Sequence, residues 1–361
     1  MNRLSAALAR LRADPFAQAA LPADARGDGK VADLTGPGLT DRWGVTATDL
    51  GATVRAPDGT LVAVFGDTFS GRSVGHGDWR SPVVLIGAGD AQTPIRWERA
   101  GGPDPGYAHQ LRHYLHDSGP HWRRGGISTV LPSDLLRVGD TLYLHVIVNR
   151  GHPHVIWTEI WSSSDNGVTW DHMGEAAKFP ADLHDGHAQL WAWDHDPDDG
   201  WVYVMSTGFQ RDKGIILRRV RPEDIGEHRA YVAWNGDGWG GTPRVLSPPG
   251  ERWGELSFRR LERGTWVLGG FLASRYALGY RVLTAPTSPL TQARVQEPVT
   301  GCDWSDEHHA GCRVAQLYGG HVLPGSRCDI PGGVGLLVSH WHTSRGWPYR
   351  VMQFRATLRS G

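Results

Sequence analysis

Two aspartates lie in apolar, strand-like segments near the start of this 361-residue sequence. Asp49 interrupts a run of threonine and apolar residues, and Asp67 ends the apolar run 61–66. Burying a carboxylate is costly unless the group is paired or has a task. Because neither aspartate has a turn-like context, the pair is a candidate for general acid and general base in glycoside hydrolysis, which uses two carboxyl groups.

Five similar units along the chain position these residues. A glycine-containing turn and a short apolar strand recur at 58–67, 138–149, 198–208, 262–271 and 332–341, with turn glycines Gly59, Gly139, Gly200, Gly264 and Gly335. A candidate strand precedes each unit (45–56, 127–137, 187–195, 254–261 and 317–323), and another follows it (82–87, 155–163, 214–220, 279–284 and 349–357). Such repetition, with 48 glycines and 23 prolines, predicts an all-β fold, a five-bladed β-propeller.

The propeller is expected over residues 31–361, preceded by an N-terminal arm over 1–30. Leu4, Leu8 and Leu11 share one helical face, which predicts a short amphipathic helix in that arm. Closed propellers often need a clasp, so we expect a segment near 31–45 to complete the blade that contains the last strand.

The segment "SSDNGVTW", residues 163–170, fits an Asp-box. In this hairpin turn Asp165 bonds backbone amides, Gly167 accepts a positive φ and Trp170 packs beneath. The motif is common in propellers and has a structural role, so Asp165 is not a catalytic candidate.

The innermost strand of each blade lines the central channel, and polar residues on these strands converge at one face. Asp134 also lies on such a strand, and a turn-capping role is favoured for it. The strand ends and their neighbours give eight candidate substrate-binding residues, namely Trp43, Arg80, His187, Gln189, Glu255, Arg259, His321 and Trp341. Indole rings pack against the apolar faces of sugars, although most of the 17 tryptophans are expected to fill space between sheets.

Composition excludes several other functions. The 37 basic and 38 acidic residues give a net charge of −1, which offers no electrostatic reason for a nucleic-acid or membrane partner. No apolar run approaches the ~20 residues of a membrane span, and no P-loop or GxSxG elbow occurs.

The histidine clusters at 113–117 and 307–309 lack zinc-site spacing, so neither a metal nor a cofactor is predicted. Cys302 and Cys312 could form one bridge, and three free thiols are the equal alternative.

Several segments together resemble a known family. They are "TDLGATVRAPDGTLVAVFGDTF", "WRSPVVL", the Asp-box, "GELSFR" and "YGGHVLPGS…LLVSHW…PYRVMQF", and the resemblance covers about residues 40–358. The family is the domain of unknown function 4185, now assigned to glycoside hydrolase family 183, the endo-D-arabinanases.

The resemblance implies a five-bladed propeller that cleaves the α-linked D-arabinofuranan of mycobacterial-type arabinogalactan and lipoarabinomannan with inversion. It also implies that the catalytic pair consists of Asp49 in the TDLG segment and Asp67 in the FGDT segment. A monomer that binds this polysaccharide is expected. The substrate suggests an extracellular or phage-delivered enzyme, but the N-terminus lacks the apolar region of a signal peptide, so localisation stays open.

Two other functions remain as alternatives. A lectin would repeat one sugar pocket in every blade, whereas the inner-strand residues here differ between blades. A sialidase-like enzyme would need an arginine cluster. Within the proposed pair we favour Asp49 as the base, because the innermost strand should be the wetter position, and Asp67 as the acid, because apolar surroundings should raise its pKa.

Overall fold

In a computed structural model of the protein, residues 27–72, 75–114, 126–151, 154–342 and 347–360 are described. Their strands form five antiparallel-rich sheets, which confirms the predicted five-bladed β-propeller. The first blade contains β2 (Ala47–Arg55), β3 (Leu61–Phe69), β4 (Trp79–Arg80), β5 (Val83–Ala88) and β6 (Arg96–Ala100). The second contains β7 (Thr129–Val138), β8 (Thr141–Asn149), β9 (Val155–Ser163), β10 (Asp171–His172) and β11 (Lys178–Pro180).

The third blade contains β12 (Leu190–Asp196), β13 (Trp201–Thr207), β14 (Ile216–Val220) and β15 (Val232–Ala233). The fourth contains β16 (Trp253–Glu262), β17 (Thr265–Leu272), β18 (Ala277–Leu283), β19 (Gln296–Cys302) and β20 (Arg313–Ala315). The fifth contains β21 (Leu317–Val322), β22 (Val334–His342), β23 (Trp347–Ala356) and, as its outermost strand, β1 (Gly29–Asp33). The described helices are single 3-10 turns at Asp41–Trp43, Glu175–Ala177, Pro222–Asp224, His228–Ala230, Trp304–Asp306 and His309–Gly311.

The chain ends meet in the fifth blade, where β1 pairs antiparallel with β23 from Gly29–Arg355 to Asp33–Met352. The clasp therefore exists, but it begins at Gly29, slightly before the predicted segment. The predicted helical arm lies mostly in residues 1–26, which are outside the described residues.

Four of the five predicted turn glycines have the left-handed φ that a tight hairpin demands, namely Gly59, Gly139, Gly200 and Gly264. The prediction was wrong for Gly335, which lies within β22 and pairs with Arg355. The hairpin before β22 is longer than the others, and its left-handed glycines are Gly325 and Gly332.

The Asp-box forms the predicted turn between β9 and β10. Asp165 accepts hydrogen bonds from the Thr169 amide at 2.9 Å and from the Thr169 hydroxyl at 2.6 Å. Gly167 has a φ of 82°, and the buried Trp170 indole donates to the Gly167 carbonyl at 3.0 Å. The motif closes a hairpin and leaves no group for catalysis.

Apolar clusters fill the spaces between neighbouring blades, and large rings do much of the filling. Trp161, Trp191, Trp193, Trp253 and Trp266 are fully buried, and other tryptophans also belong to these clusters, so packing accounts for much of the tryptophan content. All three cysteines are free thiols. Across the part of the chain that the structure describes, no helix has the length and apolar character needed to cross a membrane.

Candidate active site

A cavity of about 580 Å³ opens at one mouth of the central channel. The inner strands β2, β7, β16 and β21 supply much of its wall, together with the loop after β13 in the third blade and strands β22 and β23 of the fifth. Three carboxylates face it, Asp49, Asp67 and Glu255. The ring-bearing residues of its lining are Phe209, Phe271, Tyr276, Tyr318, His321, Trp341 and Tyr349.

Bulges in the inner strands direct polar side chains into this cavity. The pairing register shifts on both sides of Leu50 in β2, between Gly254 and Ser257 in β16, and between Leu317 and Gly319 in β21. A bulge bends its strand and re-aims a side chain. Leu50 and Glu255 also have left-handed φ values of 63° and 43°, and such backbone strain concentrates at functional sites.

Asp49 is held at one of these bulges, and its side chain is only 7% exposed. A Cβ atom at position 66 would lie 2.4 Å from Asp49 Oδ1, so the glycine of the FGDT segment makes room for this carboxylate. The Tyr318 hydroxyl donates a hydrogen bond to Asp49 Oδ2 at 3.1 Å. Burial, followed by the charge of Asp67, raises the pKa of Asp49 well above its usual range.

Asp67 lies on the adjacent strand β3 and is half-buried. The indole Nε1 of Trp79 donates to Asp67 Oδ1 at 3.0 Å. Trp79 belongs to the two-residue strand β4, in which Arg80 pairs with Thr68 and Trp79 pairs with Phe69. The two carboxylates that the sequence nominated thus face one cavity, each with a neutral aromatic hydrogen-bond donor.

Glu255 contributes the third carboxylate from the fourth blade. The Arg211 guanidinium binds both of its oxygens, at 3.1 Å and 2.5 Å. The Arg211 guanidinium carbon also lies 4.8 Å from the Phe271 ring centroid. Burial raises the pKa of Glu255, and Arg211 opposes that shift. Arg211 is the one arginine among the described residues that line the cavity, which does not provide the arginine cluster of a sialidase.

Aromatic rings form one wall of the cavity, from Tyr318 beside Asp49 to the exposed Trp341. Tyr318 lies 6.4 Å from Tyr349, and Tyr349 lies 5.7 Å from Trp341, measured between ring centroids. Trp341 is 42% exposed. His321 is buried, and burial lowers its pKa to about 3, so its imidazole is neutral. This wall offers flat apolar faces next to hydrogen-bonding groups, as sugar sites do.

Five of the ten predicted site residues therefore line the cavity, and the other five do not. Trp43 is 4% exposed and packs in an apolar cluster between the first and fifth blades. Arg80 is buried, donates to the Gly44 carbonyl and lies over the Tyr107 ring at 4.6 Å. His187 contacts the Gly214 carbonyl, at 2.8 Å from its Nδ1. Gln189 accepts a hydrogen bond from the amide of Phe209, so it positions a lining residue.

Arg259 instead closes the channel below the cavity. Its guanidinium binds both oxygens of the fully buried Asp134, at 2.7 Å and 2.5 Å. It also donates to carbonyls of Thr53 in the first blade and Trp193 in the third. Asp134 is thus an ion-pair partner rather than a turn cap, and the two charges connect four blades. A second cavity of about 300 Å³, which Arg259 and Asp194 help to line, lies beyond them.

One cluster outside the cavity has ligand atoms close enough for a metal. Atoms of Glu307, His309 and His340 lie within 4.8 Å of one another. However, Lys30 Nζ lies 3.3 Å from His309 Nδ1, and Arg350 Nε lies 3.0 Å from His340 Nε2. These two cations favour an ion-pair network at the clasp over a divalent metal.

The residues that sequence analysis missed are Trp79, Arg211, Tyr318 and Tyr349. If side chains alternate regularly along β21, Tyr318 and His321 point to opposite faces of the strand. The bulge between Leu317 and Gly319 shifts the register, so that both residues line the cavity. Arg211 is on a loop, for which periodicity gives no signal. The glycine at position 254 could have been a signal for Arg211, because a Cβ there would meet the arginine side chain at 2.6 Å.

The fold and the cavity define a five-bladed propeller with a carboxylate-lined channel mouth. Residues 35–355 match the family described as "Domain of unknown function (DUF4185)", and the chain belongs to this family. It is 28% identical over 334 residues to an uncharacterised 35.9 kDa protein of Mycolicibacterium smegmatis, with 87% of this chain and 93% of that protein covered. It is 32% identical over 339 residues to notoamide biosynthesis cluster protein J' of Aspergillus versicolor, with 88% of each covered.

Solved structures share the propeller at low sequence identity. A protein from Bacteroides ovatus has a TM-score of 0.57 and 14% identity, with 88% of this chain and 87% of that chain covered. An exo-β-1,3-galactanase from Phanerochaete chrysosporium has a TM-score of 0.53 and 10% identity, with 91% and 63% covered. The RS223 β-xylosidase has a TM-score of 0.51 and 11% identity, with 87% and 95% covered. At these identities the likeness shows the fold.

Proposed function

We propose that this protein is a glycoside hydrolase and that Asp49 and Asp67 are its catalytic carboxyl groups. The observation that carries the proposal is the convergence of the two side chains in one aromatic-walled cavity, where the more buried carboxyl has a raised pKa. Glycoside hydrolysis requires one carboxylic acid and one carboxylate beside the scissile bond. Glycosidase activity of the galactanase and the xylosidase, which share the fold, supports the same class.

The difference in burial between the two groups supports a division of roles. Asp49, which is buried and next to a second carboxylate, holds the proton and acts as the general acid. Asp67, which is half-buried, acts as the general base that activates water. This order is the reverse of the one favoured from sequence, because the innermost strand proves to be the drier position. The Trp79 indole and the Tyr318 hydroxyl fix the two carboxyl groups in place.

We further propose that the substrate is an α-linked D-arabinofuranan, that cleavage is internal and that the anomeric centre is inverted. The family resemblance supports this choice, and the exposed Trp341 at the rim offers a platform for a sugar beyond the catalytic centre. Glu255 and Arg211 would bind sugar hydroxyls from the opposite wall, with His321 at their side.

Incubation with purified mycobacterial-type arabinogalactan tests the substrate class. We expect short arabino-oligosaccharides from this polymer and none from β-1,3-galactan or xylan, measured by chromatography of the products. Arabinogalactan that binds the protein and stays intact would instead identify a lectin. Products from xylan or galactan alone would overturn the arabinan assignment and keep the glycosidase class.

Tyr318→Phe should shift the pH profile of kcat/KM in a defined direction. The Tyr318 hydroxyl stabilises ionised Asp49, so its loss raises the pKa of Asp49 further. If Asp49 is the acid, activity is lost as pH rises through this pKa, and the alkaline limb should move to higher pH in the variant. Tyr231→Phe, which removes a buried hydroxyl that donates to the Ile225 carbonyl and does not line the cavity, should leave both limbs in place. Movement of the acidic limb instead would make Asp49 the base.

Trp341→Ala should raise KM by roughly tenfold on long arabinan and change kcat much less, because stacking acts on substrate and transition state alike. Trp341→Phe should recover part of the loss. The matched control is Val245→Ala, an exposed apolar side chain outside the cavity. An unchanged KM for Trp341→Ala would remove this residue from the site.

A further inference from the structure

The interface between the second and third blades contains a buried positive charge. Arg218 on β14 is 0% exposed, and its Nε, Nη1 and Nη2 atoms have no hydrogen-bond partner in the described part of the chain. Its guanidinium carbon lies 4.5 Å from the Trp191 ring centroid and 5.6 Å from that of Tyr231. Burial lowers the pKa of Arg218 to about 10, so the side chain remains charged at neutral pH.

Aromatic faces compensate this charge only in part. A desolvated cation–π contact contributes about 2 kcal/mol, whereas burial of an isolated ion costs far more. None of the described carboxylates forms an ion pair with Arg218. The described residues therefore supply no counter-charge for the Arg218 guanidinium.

The third blade contributes one more unpaired polar group to the same interface, the Ser206 hydroxyl. Ser206 pairs with Trp191 and Ile216, and Val204 pairs with Trp193 and Arg218. Residues paired across antiparallel strands share a face of the sheet, so Ser206 and Arg218 both lie on the face of Trp191. Ser206 and Arg218 are diagonal neighbours on adjacent strands, which corresponds to a separation of about 7–8 Å. The fully buried Ser206 hydroxyl also lacks a hydrogen-bond partner.

The second blade adds donors from across the interface. The His145 ring stacks on Trp191 at 3.9 Å with an interplanar angle of 6°. Thr158 pairs with Phe179, whose ring lies 4.7 Å from that of Trp191. Both nitrogens of His145 and the hydroxyl of Thr158 are fully buried and have no hydrogen-bond partner among the described residues.

We propose that a small monovalent anion of the halide class is bound between the second and third blades, with Arg218 and Ser206 as its principal ligands. His145 and Thr158 form the opposite wall. The chemistry of the donors supports this choice, since guanidinium, hydroxyl and imidazole N–H groups are present and no carboxylate of the described residues competes for them. Complete burial restricts the ligand to a small ion. Water would satisfy the donors and leave the charge uncompensated.

The anion would also stabilise one wall of the catalytic cavity. Leu190 precedes Trp191, and Ile147 lies two residues beyond His145, and both Leu190 and Ile147 line the cavity. The site itself does not depend on the proposed glycosidase activity.

Bromide tests the proposal directly. Crystals of the full chain grown in sodium bromide should show an anomalous peak in contact with the Arg218 guanidinium. In solution, the Tm should rise by roughly 2–4 °C and saturate with bromide, relative to sodium gluconate at equal ionic strength.

Arg218→Met should abolish this bromide response. The matched control is Arg219→Met, because Arg219 stacks on Trp201 and Trp239, each at 4.0 Å, away from the interface, and its variant should keep the response. Should Arg218→Met fail to fold, Ser206→Ala replaces it, and its bromide midpoint should rise severalfold. Water alone beside Arg218 in the crystal, or equal Tm values for the wild type in the two salts, would overturn the proposal.

Discussion

Asp49→Asn and Asp67→Asn should each lower kcat on arabinan by roughly 10²–10⁴-fold, because each removes one of the two proton-transfer groups. Asparagine keeps the size of the side chain and can accept the hydrogen bonds from Tyr318 and Trp79. Fold and substrate binding should therefore persist, measured by Tm and by the Kd for an arabino-oligosaccharide. Near-wild-type turnover by either variant would show the pair to be wrong, and Glu255 would be the next carboxylate to test.

Azide distinguishes the two roles. A small anion can replace water at a vacated base, so added azide should restore turnover to Asp67→Ala and not to Asp49→Ala when the leaving group is poor. Rescue of Asp49→Ala alone would exchange the acid and base assignments. Asp165→Asn, in the Asp-box turn, should keep full kcat, because that carboxylate serves a hairpin.

Asp134→Asn should destabilise the protein by about 3–5 kcal/mol, because it leaves the buried Arg259 guanidinium without its bidentate partner. Burial of Asp134 and its contacts with Trp193 and Leu135 make relaxation of the site difficult. The change should appear in the free energy of unfolding from chemical denaturation.

The exposed pair Arg327 and Asp329 supplies the control. Asp329→Asn should leave the unfolding midpoint unchanged within error, since exposed ion pairs contribute little. The double variant Asp134→Leu with Arg259→Met should be more stable than Asp134→Asn, because an apolar pair leaves no unmatched charge. Equal midpoints for Asp134→Asn and Asp329→Asn would refute a structural role for the channel ion pair.

Repetition in the sequence was sufficient to predict the blade count, and the apolar strand context was sufficient to predict two of the three carboxylates that face the cavity. Both predictions hold even when the strand ends are placed slightly wrongly. Gly335 was assigned to a turn because a glycine at the start of an apolar strand resembles the last residue of a turn. In the structure the turn ends before Gly335, which is already part of β22.

The positions of the other site residues depended on strand length and on bulges, which the alternation of side chains along a strand does not show. Glu255 and Arg259 are four residues apart, so strand alternation predicts the same face for both. Four residues of strand span about 13 Å, however. Arg259 therefore lies beyond the cavity and pairs with Asp134. Tyr318 reaches the cavity only because a bulge shifts the register. Arg80 and Trp79 are adjacent, and the sequence did not show which of them faces Asp67.

Time-resolved proton NMR of arabinan cleavage tests the central claim most directly, because it reports bond cleavage and stereochemistry together. We predict that wild-type protein first releases the β-configured hemiacetal from the α-linked polymer, before mutarotation, and that Asp67→Asn releases none in the same period. First release of the α-configured product, or equal release by Asp67→Asn, would contradict inverting catalysis by Asp49 and Asp67.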